Sequence, residues 1–122
     1  MKLHYVRNQP LMRLKVFGPN GIMEYDAYLD TGATKTLIPE SDAKELGLRY
    51  SGDIMIITAN GEDVFHLYEA EVEFLGKKFS ILVLGKELPK TTAIRSIVGR
   101  DILDSFKVCF DGKTKTIEIF DT

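Results

Sequence analysis

In Tyr28-Leu29-Asp30-Thr31-Gly32-Ala33-Thr34 an apolar run ends in an acid, a hydroxyl residue and a glycine, then resumes as Leu37-Ile38-Pro39. A strand ending this way sets a carboxylate at a sharp turn, with buried backbone expected on both sides. Glycine permits close backbone approach or a positive φ there, and threonine can tie the turn with its hydroxyl. An acid in such a place costs free energy unless the carboxylate has chemistry to do. Taken alone, the triplet is equally a plain strand end, so its neighbours decide.

Upstream, Leu11 to Phe17 alternates apolar with basic residues, the pattern of a half-buried strand. Gly18-Pro19-Asn20-Gly21 is a turn signal, and Ile22 to Leu29 reads as the returning strand that delivers Asp30. Leu3 to Val6 is a candidate strand before this hairpin, with Asn8-Gln9-Pro10 as the break.

Downstream, Lys35 to Ile38 is a short strand and Pro39 to Gly47 a compact helix, opened by proline and acids and closed by glycine. Ile54 to Thr58 and Asp63 to Leu67 flank Ala59-Asn60-Gly61-Glu62, and Asn-Gly between β-rich runs predicts a hairpin. Its second arm continues through Glu69 to Phe74 to a turn at Leu75-Gly76-Lys77-Lys78. Phe79 to Leu84 is a further strand, with Ile81 to Leu84 apolar enough for burial on both faces. A polar loop, Gly85 to Thr92, precedes Ile94 to Val98 and Gly99. Asp101 to Phe106 allows one helical turn, and Val108 to Phe110 with Thr116 to Phe120 makes a last hairpin. Many short strands with regular turn signals indicate an all-β barrel or sandwich.

The 122 residues suit one domain, 1–122, with a real core. With 44% hydrophobic and 28% charged residues and a net charge of −2, the chain has no basic stripe for a nucleic-acid backbone. Cys109 is alone, which excludes an intrachain disulfide and a cysteine metal cluster, and His4 and His66 are too few and too far apart in sequence to suggest zinc. Neither a cofactor nor a metal is expected. No apolar region follows the first basic residue and no run approaches membrane-spanning length, so the expectation is a cytoplasmic protein without a membrane partner. Gly112-Lys113-Thr114 is no phosphate loop, because Lys107 stands where that loop needs glycine. His66 reads as a surface or cleft-wall residue, and Cys109 as a small core residue.

What survives is the Asp30 turn, then a small helix, an Asn-Gly hairpin and Ile97-Val98-Gly99-Arg100-Asp101-Ile102-Leu103, in that order. From Leu11 to Phe120 this resembles the retroviral-type (retropepsin-like) aspartic peptidases. It is most similar in pattern to the retroviral-like domain of the DNA-damage-inducible proteases and to similar prokaryotic single-domain proteins. The resemblance implies an all-β, closed β-barrel-like acid protease fold with one or two short helices. It makes Asp30 the catalytic carboxylate, supported by Thr31, which grips the facing turn, and by Gly32 and Ala33. Ile57, Thr58, Ala59, Asn60 and Gly61 would belong to a substrate-binding flap, and Ile97, Val98, Gly99 and Arg100 would pack beneath the turn.

Such chemistry needs two carboxylates sharing a proton, one acting on water and one on the peptide carbonyl. With one Asp-Thr-Gly per chain, and Asp101 at a position where the family has a structural residue, the implied enzyme is a symmetric homodimer cleaving extended, largely apolar peptides. Pepsin-like sites often carry a hydroxyl residue where this chain has Ala33, and its loss implies a mildly acidic to near-neutral optimum. Retroviral enzymes usually have an acid where this chain has Thr34, which leaves Arg100 to pair with Asp101 or another carboxylate. The flap lacks their glycine-rich tip, and either Met1 to Arg7 or Thr116 to Thr122 would have to supply any terminal sheet. Two other readings stay open: a catalytically silent dimeric module that binds peptides or a protein, and a structural β-domain in which the motif is coincidental.

Overall fold

The computed structural model describes residues 1–120. In chain order its elements are β1 (Lys2–His4), β2 (Leu11–Gly18), β3 (Gly21–Leu29), β4 (Leu37–Ile38), α1 (Glu40–Glu45) and β5 (Arg49–Thr58). They continue as β6 (Gly61–Phe74), β7 (Lys77–Gly85), β8 (Ile97–Val98), α2 (Arg100–Leu103), β9 (Lys107–Asp111) and β10 (Thr116–Phe120).

Hairpin β2–β3 pairs from Leu11↔Tyr28 to Gly18↔Gly21. Gly18 is required where this turn meets α1, because a Cβ would lie 2.5 Å from the Leu46 carbonyl oxygen. Six strands then close a ring in the order β2-β3-β8-β4-β7-β6, sealed by β2–β6 pairing over Leu14↔Phe74 to Phe17↔Glu71. The ring is mixed: β3–β8 and β4–β7 run parallel, the other pairs antiparallel. One half of the long β6 seals the ring, while the other pairs with β5 and projects as a hairpin. This is a closed, mixed β-barrel with two short helices, as the resemblance implied.

The barrel is filled by Leu14, Val16, Ile38, Val72, Phe74, Val83, Val98, Ile102 and Ile117, all fully buried. Each such side chain contributes roughly 1.5–3 kcal/mol, against about 0–1 kcal/mol for an exposed ion pair. The Arg13–Glu24 and Lys15–Glu24 pairs on the outer face therefore matter far less to stability than this core.

Several local expectations change. β5 starts at Arg49, ahead of its apolar run, because main-chain pairing with Glu69 and an edge-on Tyr50–Tyr68 ring contact extend it across a bulge before Gly52. β1 stops at His4, since Arg7 and Asn8 take left-handed φ values of 49° and 64° and the chain reverses there. β7 is buried only from Val83 onward; Leu82 is half-buried opposite the outward Glu69 of β6, and Ile81, opposite Ala70, packs on the rim of the core and is also half-buried. The second helical turn sits at Arg100–Leu103, slightly earlier than expected. Cys109 is exposed, because Val108 and Ile117 take the inward positions of the last hairpin.

Both ends of the chain contribute to a terminal sheet. β1 pairs with β10, and β10 with β9, within one chain. Asp121 and Thr122 lie outside the described residues.

Candidate active site

β3 runs beside β8 with Tyr28↔Ile97 and Leu29↔Val98 in parallel register. The next amide, that of Asp30, donates to the Val98 carbonyl at 3.0 Å, so the strand ends with Asp30 anchored on β8. The Ala33 amide donates to the Asp30 carbonyl at 3.2 Å and closes the turn. The Gly32 amide donates to Asp30 Oδ1 at 2.8 Å and orients the carboxylate. Asp30 is half-buried while Thr31 and Gly32 are exposed, so the backbone after the acid is open where burial was expected. Within the described residues the Thr31 hydroxyl has no hydrogen-bond partner.

Ile97, Val98, Gly99 and Arg100 do lie beneath this turn. The Arg100 amide donates to the Ala33 carbonyl at 2.8 Å. Gly99 is packed so closely that a Cβ would stand 2.7 Å from the Lys35 carbonyl carbon and 2.9 Å from the Ala33 oxygen. Arg100 does not pair with Asp101. Its guanidinium donates to the Thr31 carbonyl at 3.2 Å and to Thr34 Oγ1 at 3.3 Å. The hydroxyl of Thr34 thus accepts from this arginine without a carboxylate.

Asp101 is spent on Thr36. Its Oδ2 accepts from the Thr36 amide at 2.9 Å and its Oδ1 from the Thr36 hydroxyl at 2.8 Å. Thr36 Oγ1 in turn accepts from the Gly99 amide at 3.2 Å, and Thr36 is fully buried. Sequence reasoning passed over Thr36; a polar residue inside the apolar approach to β4 was the available signal.

The β5–β6 hairpin ends in a two-residue loop, Ala59–Asn60, closed by Thr58↔Gly61. Ala59 and Asn60 keep negative φ and Gly61 takes +103°, so the turn is centred on Ala59-Asn60 in place of Asn-Gly, with the strand register unbroken up to Gly61. The Thr58 hydroxyl donates to the Gly61 carbonyl at 3.0 Å and accepts from the Asn60 amide at 3.2 Å. Ile57, at 82% exposure, projects from this tip. On the other face Ile54 and Ile56 pack on a second apolar cluster of Leu37, Phe65 and Leu84, joined by Leu88 and Ile97. Through Ile97 this apolar wall reaches the strand beneath Asp30.

The base of the hairpin carries a polar cluster. Asp53 Oδ1 accepts from the Tyr50 hydroxyl at 2.6 Å and lies 2.6 Å from His66 Nδ1. The Tyr50 bond first, and His66 second, hold the Asp53 carboxyl below the usual range. The Tyr68 hydroxyl donates to Glu40 Oε2 at 2.8 Å; burial first, then Glu40, pushes this phenol up to about 12. His66 is thus tied to the base of the hairpin.

A family described as "Aspartyl protease" matches residues 13–83, and no curated protein sequence matches. A retropepsin-like aspartic protease from Rickettsia conorii superposes with a TM-score of 0.64 at 26% identity, covering 98% of this chain and 89% of that one. EIAV protease, in complex with the inhibitor HBY-793, superposes with a TM-score of 0.62 at 18% identity over 84% and 91%. The simian foamy virus protease gives 0.56 at 23% identity over 79% and 92%. The two viral structures share the fold; the family match and the rickettsial protein add the chemistry of the class. With that match spanning the Asp-Thr-Gly turn and the β5–β6 hairpin, the chain belongs to the aspartyl protease family and is a retropepsin-like hydrolase.

Proposed function

We propose that the protein is an aspartic endopeptidase active as a homodimer, with Asp30 of each chain forming one catalytic pair. The observation that carries this reading is the commitment of both Asp101 oxygens to Thr36, beside a half-buried Asp30 on an open turn. Asp101 is not available as the second catalyst, and the sequence holds one Asp-Thr-Gly. A second copy meeting the first at this turn supplies the missing carboxylate and gives the unpartnered Thr31 hydroxyl a backbone to grip.

In the paired site one carboxylate takes a proton from water as the water oxygen attacks the peptide carbonyl carbon. The other, protonated, gives its proton to the carbonyl oxygen. Collapse of the tetrahedral intermediate breaks the C–N bond as the first carboxyl protonates the departing nitrogen and the second carboxylate takes back a hydroxyl proton, which restores the starting pair. An extended substrate lies between Gly32 and the Ile57–Gly61 flap, making main-chain hydrogen bonds, with alternate side chains set against the apolar wall of Leu37, Ile54, Ile56 and Ile97. That wall supports a preference for apolar side chains.

The test is cleavage of a diverse peptide library by wild type beside Asp30→Asn, read by mass spectrometry, with a large excess of Asp30→Asn then mixed into wild type. The expectation is loss of cleavage by at least about a thousandfold in the variant, and suppression of wild type by the excess, since mixed pairs lack one carboxylate. Undiminished wild-type activity in the mixture would overturn the shared site.

A further inference from the structure

Residues 86–96 connect β7 to β8 and carry Leu88 into the apolar wall beside Ile97. This segment is not packed down along its length. It arches over an open hollow of about 450 Å³, bounded by Pro39 on one side and by Leu88, Pro89 and Ile94 on the other. Its outermost residues are held by β4 and β3: the Lys86 amide donates to the Ile38 carbonyl at 3.0 Å, the Ser96 hydroxyl to the Leu37 carbonyl at 2.8 Å and the Tyr28 amide to the Ser96 carbonyl at 3.0 Å. One residue further in, each end is also tied to the first turn of α1, and the span between depends on those ties.

At the near end the Ser41 amide donates to Glu87 Oε1 at 2.8 Å. That bond holds the Glu87 carboxyl below the usual range. At the far end Arg95 donates to Asp42 Oδ2 at 2.9 Å, and its guanidinium lies over the Tyr25 ring, 5.8 Å from the centroid. The Tyr25 hydroxyl donates to the same Asp42 oxygen at 2.7 Å. Asp42 is only 7% exposed while the Arg95 side chain is 63% exposed, so the pair is sheltered on the carboxylate side and open to solvent on the other.

We infer that Glu87 and Arg95 are positioning residues, clasped by Ser41 and Asp42 of α1, that fix the cleft wall carried by residues 86–96. They act through the place of Leu88, since Ile97 is already fixed in β8 by its pairing with Tyr28 and Leu37, and not on the reacting atoms. The inference rests on the peptidase reading for its kinetic consequence, but not for its structural one.

The test uses the full-length protein with Glu87→Ala/Arg95→Ala beside the conservative pair Glu87→Gln/Arg95→Lys, which keeps an acceptor for Ser41 and a charge for Asp42. In the alanine pair, amides of residues 86–96 should exchange with solvent about tenfold faster while those of β6 and β7 are unchanged. Its KM on an extended peptide should rise about tenfold with kcat within about twofold, and the conservative pair should recover most of that change. Unchanged exchange in the loop would overturn the clasp. Faster exchange with an unmoved KM, or a fall in kcat alone, would overturn the positioning role. Failure of wild type to cleave any peptide would sink the peptidase reading and the kinetic role with it, while the exchange arm still reports on the clasp.

Discussion

Asp101 and Thr36 bind each other twice, amide to Oδ2 and hydroxyl to Oδ1, across a sequence separation of 65 residues. The pair fastens the segment after the Asp30 turn to the start of α2, and through Thr36 Oγ1 it also holds the Gly99 amide. Thr36→Val keeps the shape and removes the hydroxyl, leaving one Asp101 oxygen and the Gly99 amide unmatched in a buried place. The expected loss is about 1–3 kcal/mol. Thermal unfolding should show it as a drop of several degrees in Tm, and an unchanged Tm would refute the bond's importance.

Gly99 answers to space and not to φ, which is an ordinary −99°. Gly99→Ala pushes a methyl into the backbone of Lys35 and Ala33, atoms that cannot swing aside. The clash falls on the Lys35 and Ala33 backbone and not on the side chains of the barrel core, so the barrel should still form, whereas the Asp30 turn should be displaced. The measurement pairs circular dichroism with peptide cleavage: a folded protein with activity lowered by about a hundredfold or more is expected.

Ala33 offers the Asp30 turn only its backbone, accepting from Arg100 and donating to Asp30. Ala33→Ser adds a hydroxyl that can donate to a catalytic carboxylate and so favours its ionised form. The acidic limb of the pH–rate profile should move to lower pH relative to wild type, whose optimum is expected to be mildly acidic to near-neutral. A wild-type profile peaking near pH 2 would refute the expectation.

Asp53 is held below the usual carboxylate range by Tyr50 first, with His66 second. A depressed carboxyl contributes stability above its unfolded value, and loses it as pH falls through the folded one. Tyr50 is shifted upward by the same bond, so its share is present below the ordinary phenol range and lost as pH rises through the raised value. Tyr50→Phe should therefore raise the Asp53 titration midpoint toward the ordinary value, with the remaining depression owed to His66. Carboxyl NMR across acidic pH reads this directly, and an unmoved midpoint would contradict it.

Features fixed by local chemistry were legible in the sequence. Gly76 takes positive φ where β6 turns into β7, and Pro39 and Gly47 bracket α1, as their residue types suggested, whereas the left-handed φ of 55° at Leu75 was not announced by its residue type. The Asp30 turn and Ile97-Val98-Gly99 could be paired because their order in the chain was distinctive. What escaped depends on distant partners. Thr36 meets Asp101, Asp42 meets Arg95 53 residues away, and Arg100 reaches back to Thr31 and Thr34. No periodicity announces such bonds. Cys109 misled for a related reason, since the inward side of a two-residue alternation depends on what the sheet packs against.

The pairing of β1 with β10 fixes when the molecule can be finished. Lys2 lies opposite Glu118 and Leu3 opposite Ile117, so a strand near the start of the chain has no partner until one near the end is made. During synthesis the β2–β3 hairpin and the ring strands can assemble as they emerge, because their contacts are nearer in sequence. Closing the longest loop carries the largest entropy cost, so the terminal sheet should be the last to gain protection during refolding. Leu3, which packs on the edge of the core, then waits exposed until β10 has been made. Pulsed hydrogen exchange during refolding would see β1 and β10 protected together, and late.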